Sequence, residues 1–273
     1  VKLGAKMVDF AGWHMPIQYT SIVSEHNAVR ERVGIFDVSH MGQIFVSGKD
    51  ASSFLSYVTT WNMTRLSDGD CRYCHILDEK GQIIDDTIVY TFSNEDYMLV
   101  PNASMVEKIF DWLNLQSVNF EVSISNKSED FFCFAVQGPQ ALRLLRQYFN
   151  LSISPFKLVK SGNIIISGTG YTGEKGYEIM GPLSESLEIW ESFLEMGALP
   201  IGLGARDTLR LEKGYLLSGT DFNGTQTTLE SGYSWVIDWN HNFIGKEKLI
   251  SQKEKGHKVL SGILLEERGV LRP

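Results

Sequence analysis

The chain has 273 residues, 43% of them hydrophobic and 21% charged, an ordinary balance for a folded protein that excludes wholesale disorder. Net charge is −8 and the 25 Lys and Arg residues are scattered without a basic stripe, which argues against nucleic acid as a main partner. No apolar run approaches the ~20 residues that span a bilayer, no signal segment opens the chain, and three cysteines are an odd count for a disulfide scaffold, so the expectation is a reducing compartment and no membrane.

Taken in chain order, Ser21 caps a predicted helix carrying Ile22, His26, Val29 and Val33 on one face and stopped by Gly34. Gln43–Ser47 reads as a strand, and Asp50 starts a short helix bearing Phe54, Leu55 and Val58. Cys71–Leu77 and Ile83–Phe92 are strands joined by the turn Asp78-Glu79-Lys80-Gly81, with Tyr97–Val100 as a third. Asn102 caps a helix that turns Val106, Ile109, Phe110 and Leu113 inward. Strands follow at Asn119–Ile124 and Phe131–Val136, and Gly138-Pro139 opens a helix through Tyr148. Asn163–Ser167 and Tyr177–Met180 form a second hairpin-like pair, followed by helices at Ser184–Met196 and Ala205–Lys213, the latter ended by Gly214. Strands and helices do not alternate regularly. The expected class is therefore α+β with mixed, largely antiparallel sheets and packed helices, in one large domain or two.

Three strings imitate known motifs. Gly168-Thr-Gly-Tyr-Thr-Gly173 has dinucleotide-binding spacing, but a strand-like segment follows where that chemistry needs a helix, so a turn at positive φ is expected. Cys71-Arg-Tyr-Cys-His75 has haem-attachment spacing, yet in a strand residues three apart face opposite sides and the two sulfurs diverge. Asp37, Ser39 and His40 supply triad residue types from one short stretch, which suits a turn better than a catalytic triad.

One strand carries a chemical signal. Along Ile83–Phe92, one face presents Ile83, Asp85, Thr87, Val89 and Thr91, which is mixed; the other presents Ile84, Asp86, Ile88, Tyr90 and Phe92. Asp86 is the single charge on an apolar face, where a lone carboxylate costs several kcal/mol unless it is hydrogen-bonded, paired or protonated. It is therefore a satisfied structural acid or a site. A turn without a bulge between Leu77 and Gln82 would place Tyr73 opposite Asp86. Glu178, just after a glycine-rich turn, and Arg206, at a helix start and four residues from Arg210, are further candidates; a solvated face or a local ion pair with Asp207 or Glu212 is the plainer alternative for the arginine.

Several blocks occur in order along nearly the whole chain: Met7-Val-Asp-Phe-Ala-Gly-Trp-His-Met-Pro-Ile-Gln-Tyr19, Phe36-Asp-Val-Ser-His-Met-Gly42, Gly81-Gln-Ile-Ile-Asp-Asp-Thr-Ile-Val-Tyr90, Gln137-Gly-Pro139, Gly170-Tyr-Thr-Gly-Glu-Lys-Gly-Tyr-Glu178, Gly204-Ala-Arg-Asp-Thr-Leu-Arg-Leu-Glu212 and Phe243-Ile-Gly-Lys246. With them the chain resembles the aminomethyltransferase, or T-protein, family of the glycine cleavage system. The resemblance implies the T-protein folate-binding fold and an enzyme that moves the one-carbon unit of an aminomethyl group, carried on lipoylated H-protein, to the co-substrate tetrahydrofolate. The products would be 5,10-methylenetetrahydrofolate, ammonia and the dihydrolipoyl carrier, with no metal required. It further implies Asp86 as the catalytic aspartate that orients the folate nitrogens and stabilises positive charge, Glu178 as acceptor for the pterin N–H groups, Arg206 as a folate-binding arginine, and Met41, Tyr73, Asn102 and Tyr215 as pocket lining.

By the same resemblance, residues 1–250 are the folate-binding region, made of two interleaved α+β subdomains with boundaries near 50 and 130–140. Residues 251–273 would start a C-terminal β-barrel domain that is otherwise missing or truncated. The location implied is the cytoplasm, or the mitochondrial matrix in a eukaryote. Two relatives stay open as alternatives: a folate-dependent demethylase, and a non-catalytic folate-binding protein of iron–sulphur assembly. The latter carry a Lys-Gly-Cys signature where this chain reads Lys213-Gly214-Tyr215.

Overall fold

The computed structural model describes residues 2–263, 265–267 and 269. Two sheets dominate. Strands β3 (Gly34–Asp37), β9 (Phe131–Gln137), β10 (Leu158–Ser161), β11 (Ile164–Ser167), β12 (Gly176–Pro182) and β13 (Leu199–Ile201) form a six-stranded sheet in the order β10-β11-β12-β9-β3-β13. A five-stranded sheet in the order β5-β6-β7-β4-β8 holds β4 (Ile44–Ser47), β5 (Cys71–Leu77), β6 (Ile83–Ser93), β7 (Asp96–Pro101) and β8 (Ser123–Asn126). All pairings within them are antiparallel except β13 with β3. The α+β expectation therefore holds.

The core has layers that follow this order. Helices α4 (Ala141–Phe149) and α5 (Ser186–Glu195) pack Leu144, Leu145, Ile189 and Phe193 against Phe132, Phe134 and Ile179 of the six-stranded sheet. Helices α2 (Ala51–Val58) and α3 (Val106–Gln116) pack Phe54, Leu55, Ile109 and Leu113 against the five-stranded sheet. Between the sheets a third cluster joins Cys71, Tyr90 and Met98 of one to Cys133, Ala135, Ile165 and Met180 of the other, closed by α1 (Ile22–Glu31) and α6 (Leu203–Lys213). Strand β6 thus has no solvent face: Val89 belongs to one core and its neighbour Tyr90 to the next. A fourth cluster, Leu77, Ile83, Leu216, Phe222 and Leu229 with Leu249 of α7 (Lys246–Lys255), holds the long irregular segment 214–243 against the end of the β5–β6 hairpin.

Several expectations need correction. Gly34 does not stop α1, which ends at Glu31; it opens β3, where an added Cβ would lie 2.4 Å from Ile201. Asn102 does not cap α3: a short 3-10 turn, Ala103–Met105, intervenes and its side chain turns elsewhere. The strand expected at Asn119–Ile124 begins instead at Ser123, after a 3-10 turn over Ser117–Asn119. Strands β1 (Lys6–Phe10) and β2 (Trp13–Gln18) pair through Ala11-Gly12, both at positive φ, a tight turn written without the usual Asn-Gly. The short edge strand β13 hid because proline stands at its centre. Of the segment 251–273, residues to 255 belong to α7, and 264, 268 and 270–273 lie outside the described residues.

Candidate active site

The β5–β6 hairpin sets the first half of the site. Its turn is held by Asp78, whose Oδ1 accepts from the Lys80 and Gln82 amides, with Gly81 at φ +79°. A bulge between Ile76 and Leu77 shifts the register, so His75 and not Tyr73 lies opposite Asp86; Tyr73 pairs with Ile88. Tyr73 is a diagonal neighbour on the same face, and its phenol still donates to Asp86 Oδ2 at 2.7 Å. From the end of β7, Asn102 Nδ2 donates to Asp86 Oδ1 at 2.6 Å. Asp86 is 9% exposed. Burial raises its pKa above the ordinary carboxylate value, while the Tyr73 and Asn102 hydrogen bonds pull it down.

Asp85, which the strand pattern set on a mixed face, is fully buried as well. Asn102 Nδ2 also donates to Asp85 Oδ1 at 2.8 Å, the Asn102 backbone N–H to Oδ2 at 3.0 Å, and Ser218 Oγ to Oδ1 at 2.8 Å. One amide thus bridges two adjacent carboxylates. Burial first, and the Asp86 charge second, push the Asp85 pKa up to about 7, and the two acids titrate as a pair.

The six-stranded sheet supplies the second half. Glu178 on β12 points into the seam, where Tyr90 Oη of the opposite sheet donates to its Oε2 at 3.2 Å and Thr169 Oγ1 donates to the same oxygen. Every hydrogen bond to the Glu178 carboxylate among the described residues falls on Oε2. The Oε1 atom is left to accept from outside. On α6, Arg206 lies with its guanidinium carbon 4.6 Å from the Tyr171 ring centroid, and its buried Nη1 has no protein partner among the described residues. It makes no ion pair with Asp207 or Glu212. Arg210 is the paired arginine, donating to Asp207 Oδ1 at 2.8 Å, Asp221 Oδ2 at 2.6 Å and the Tyr215 carbonyl at 3.0 Å. That clamp fixes Tyr215, which stacks on Tyr171 with centroids 5.8 Å apart.

Tyr171 links the halves. Burial raises its hydroxyl pKa, and the charges of Arg206 and Asp86 act on it in opposite senses, so the acid of one sheet and the arginine beside the other share one neighbourhood. Met41 packs on the core between the sheets, and its neighbour Gly42 donates to the carbonyl of Pro101, the residue before Asn102, at 3.0 Å. Hydrogen bonds join Asp86, Tyr73 and Asn102; Arg206 and Tyr215 meet on the Tyr171 ring, and Glu178 meets Tyr90 between the sheets. Two surface clefts, about 190 Å³ beside Lys108 and Trp112 and about 320 Å³ beside Tyr57 and Phe243, lie away from these residues. The case for a site stands on its polar groups.

The three imitating strings resolve as expected. After Gly173 at φ +81° the chain enters β12, not a helix. Cys71 and Cys74 are buried free thiols in different cores. Asp37 Oδ1 accepts from Ser39 N at 3.0 Å and Ser39 Oγ at 2.6 Å, a local turn, and burial pushes the His40 pKa down to about 3.

Sequence comparison gives the arrangement a family. The profile of the GCVT N-terminal domain matches residues 1–241. The chain belongs to the GCVT family. An aminomethyltransferase of Pseudothermotoga lettingae is 44% identical over 100% of this chain and 78% of its own length, and one of Thermosipho melanesiensis is 44% identical over 100% and 77%. The crystal structure of the glycine cleavage system aminomethyltransferase T from Bartonella henselae superposes with a TM-score of 0.89 at 33% identity, covering 93% of this chain and 73% of that one. In this GCVT chain, Asp85, His75, Tyr171 and Tyr233 were missed as neighbours of Asp86 because they arrive from a buried second face, a shifted register and an irregular segment. Only the Asp85-Asp86 doublet was visible in advance.

Proposed function

We propose that this chain performs folate-dependent aminomethyl transfer, with Asp86 as the catalytic aspartate and Glu178, Arg206, Tyr73, Met41, Asn102 and Tyr215 around the pterin. The observation that carries the reading is a buried carboxylate gripped by Tyr73 and Asn102, across the seam from an acid with an open oxygen and an arginine with an open nitrogen. These match a folded pteridine edge well. Glu178 Oε1 accepts its N–H groups, and Arg206 Nη1 donates to an acceptor on the same molecule.

Tetrahydrofolate and the aminomethyl carrier are substrates. Overall, one methylene carbon leaves a carbon–sulfur and a carbon–nitrogen bond and joins two folate nitrogens; of the two folate N–H hydrogens, one goes to sulfur and one to the departing ammonia. Asp86 orients the folate nitrogens and stabilises the positive charge that develops as the carbon moves. Tyr73 and Asn102 hold its two oxygens in place, so little reorganisation is needed during transfer.

The partner we propose is lipoylated H-protein, and the location the cytoplasm, or the mitochondrial matrix in a eukaryote. Residues 1–250 form the folate-binding region in this reading, its two sheets the cores of the two subdomains. The test is to incubate the protein with aminomethylated H-protein and tetrahydrofolate. Release of ammonia that requires folate is expected. Turnover of a free methylated amine in place of the carrier would move the assignment to the demethylases.

A further inference from the structure

We propose that His75 is a positioning residue for the transfer, locking the Tyr73 hydroxyl as a donor to Asp86. His75 sits opposite Asp86 on β5 and is fully buried. Its Nδ1 lies 3.0 Å from Thr228 Oγ1, and its Nε2 lies 3.4 Å from Tyr73 Oη.

Counting hydrogens sets the direction of this chain. Tyr73 has one hydroxyl hydrogen, committed to Asp86 Oδ2 at 2.7 Å. It has none for the imidazole, so Nε2 carries the hydrogen and donates to the phenol oxygen. Burial holds the ring neutral, with its pKa pushed down to about 3. Nδ1 is therefore bare and accepts from the Thr228 hydroxyl. All links point one way, Thr228 to His75 to Tyr73 to Asp86, and each polarises the next. The imidazole is held by packing: Tyr233 stacks on it at 6.2 Å and 16°, and Phe222 lies 6.2 Å away. Thr228 belongs to the irregular segment 214–243, so that segment reaches the reacting acid through the imidazole as well as through Ser218 and Asp85.

The consequence is specific. Were the phenol free to rotate, Asp86 would lose a donor that favours its charged form. The N–H of His75 points at the phenol oxygen and forbids the turned-away orientation. Without it the acid takes up a proton at higher pH. The other titratable groups on which the charge of Asp86 acts are Cys74, on the opposite face of β5, Asp85 on β6, and Tyr171 and Tyr233 from the irregular segments. They are unchanged by substitution at position 75, so a displaced pH limb would report on the His75–Tyr73 link.

The role in transfer rests on the function proposed above; the direction of the hydrogen bonds does not. The test uses the full chain with His75→Gln, which keeps a side-chain N–H, and His75→Leu, which has none. In His75→Leu the expected result is kcat lowered about five- to tenfold with KM for folate nearly unchanged, and the acid limb of the kcat–pH profile moved up by about half to one pH unit. His75→Gln should recover most of both. Nitrogen-15 NMR of the wild-type ring should place the hydrogen on Nε2, with no imidazolium. A hydrogen on Nδ1, a charged ring, or a folded His75→Leu with the wild-type acid limb would overturn the proposal. Should His75→Leu fail to fold, the tautomer and the pH limb of His75→Gln decide. Absence of folate-dependent ammonia release from the wild type would overturn the role in transfer, while the tautomer would stand or fall separately.

Discussion

Replacing Asp86 with asparagine isolates the charge, because shape is nearly kept. The amide oxygen can take the place of Oδ1 and still accept from Asn102, which now donates at 2.6 Å. The amide nitrogen then meets the Tyr73 hydroxyl, which now donates at 2.7 Å. Two donors cannot share that line, and the phenol cannot turn away without meeting the N–H of His75. The loss is one charge-assisted hydrogen bond, about 1.5–3 kcal/mol, together with the negative charge that faces the migrating carbon. Removal of a single preorganised electrostatic group typically lowers kcat by about 10²–10³. We expect a fall of that size in folate-dependent ammonia release under saturating carrier and folate. Folate affinity by titration calorimetry should stay within about threefold, since Glu178 and Arg206 are untouched. A kcat within tenfold of wild type would remove Asp86 from the chemistry.

Three further outcomes are expected. Glu178→Ala should weaken folate binding about 10–100-fold by calorimetry with the fold intact, because Thr169 still bonds Ser167 at 2.6 Å and lies 3.3 Å from Tyr90; wild-type affinity would mean the pterin is read elsewhere. Asp85 has a folded-state pKa near 7, above its unfolded value, so it adds stability at low pH that is lost as pH rises through the window from about 4 to about 7, at most about 1.4 kcal/mol per pH unit. Asp85→Asn should flatten the slope of urea-unfolding free energy across that window, and an unchanged slope would contradict the assignment. Gly170→Ala should destabilise by about 1–3 kcal/mol in the same assay, since the new methyl would lie 2.1 Å from Gln137 Oε1.

Much of this was legible in the residues, and the failures share a cause. Strands β5 and β6 and the Gly214 stop of α6 were readable because hydrophobic runs and a positive-φ glycine are local signals. Asp86 stood out as a charge on an apolar face, and the structure buries it. Its twin was misjudged because period-two reasoning takes one face of a strand as wet, whereas β6 lies between two cores. The register slipped because a bulge at Ile76/Leu77 leaves no mark in composition. Asn102 looked like a cap because asparagine before a helix usually is one; here two carboxylates compete for the same amide and win with bonds of 2.6 and 2.8 Å. His75 and Thr228 are 153 positions apart, beyond any local pattern.

The glycine spacing that imitates a nucleotide loop has a purely local origin, which starts from Gly170 and, beyond the string, Gly176. Ideal Cβ atoms there would lie 2.1 and 2.3 Å from the carboxamide of Gln137, which donates to the carbonyls of Thr169 and Tyr177 and accepts from the Thr172 hydroxyl. The other two glycines of the string answer to different neighbours: a Cβ at Gly168 would lie 2.3 Å from the Ser154 carbonyl oxygen, and one at Gly173, itself at positive φ, 2.7 Å from the Lys213 side chain. Three unrelated close approaches thus produce the spacing of a pyrophosphate loop, and what separates the two is the element that follows, here strand β12 and not a helix.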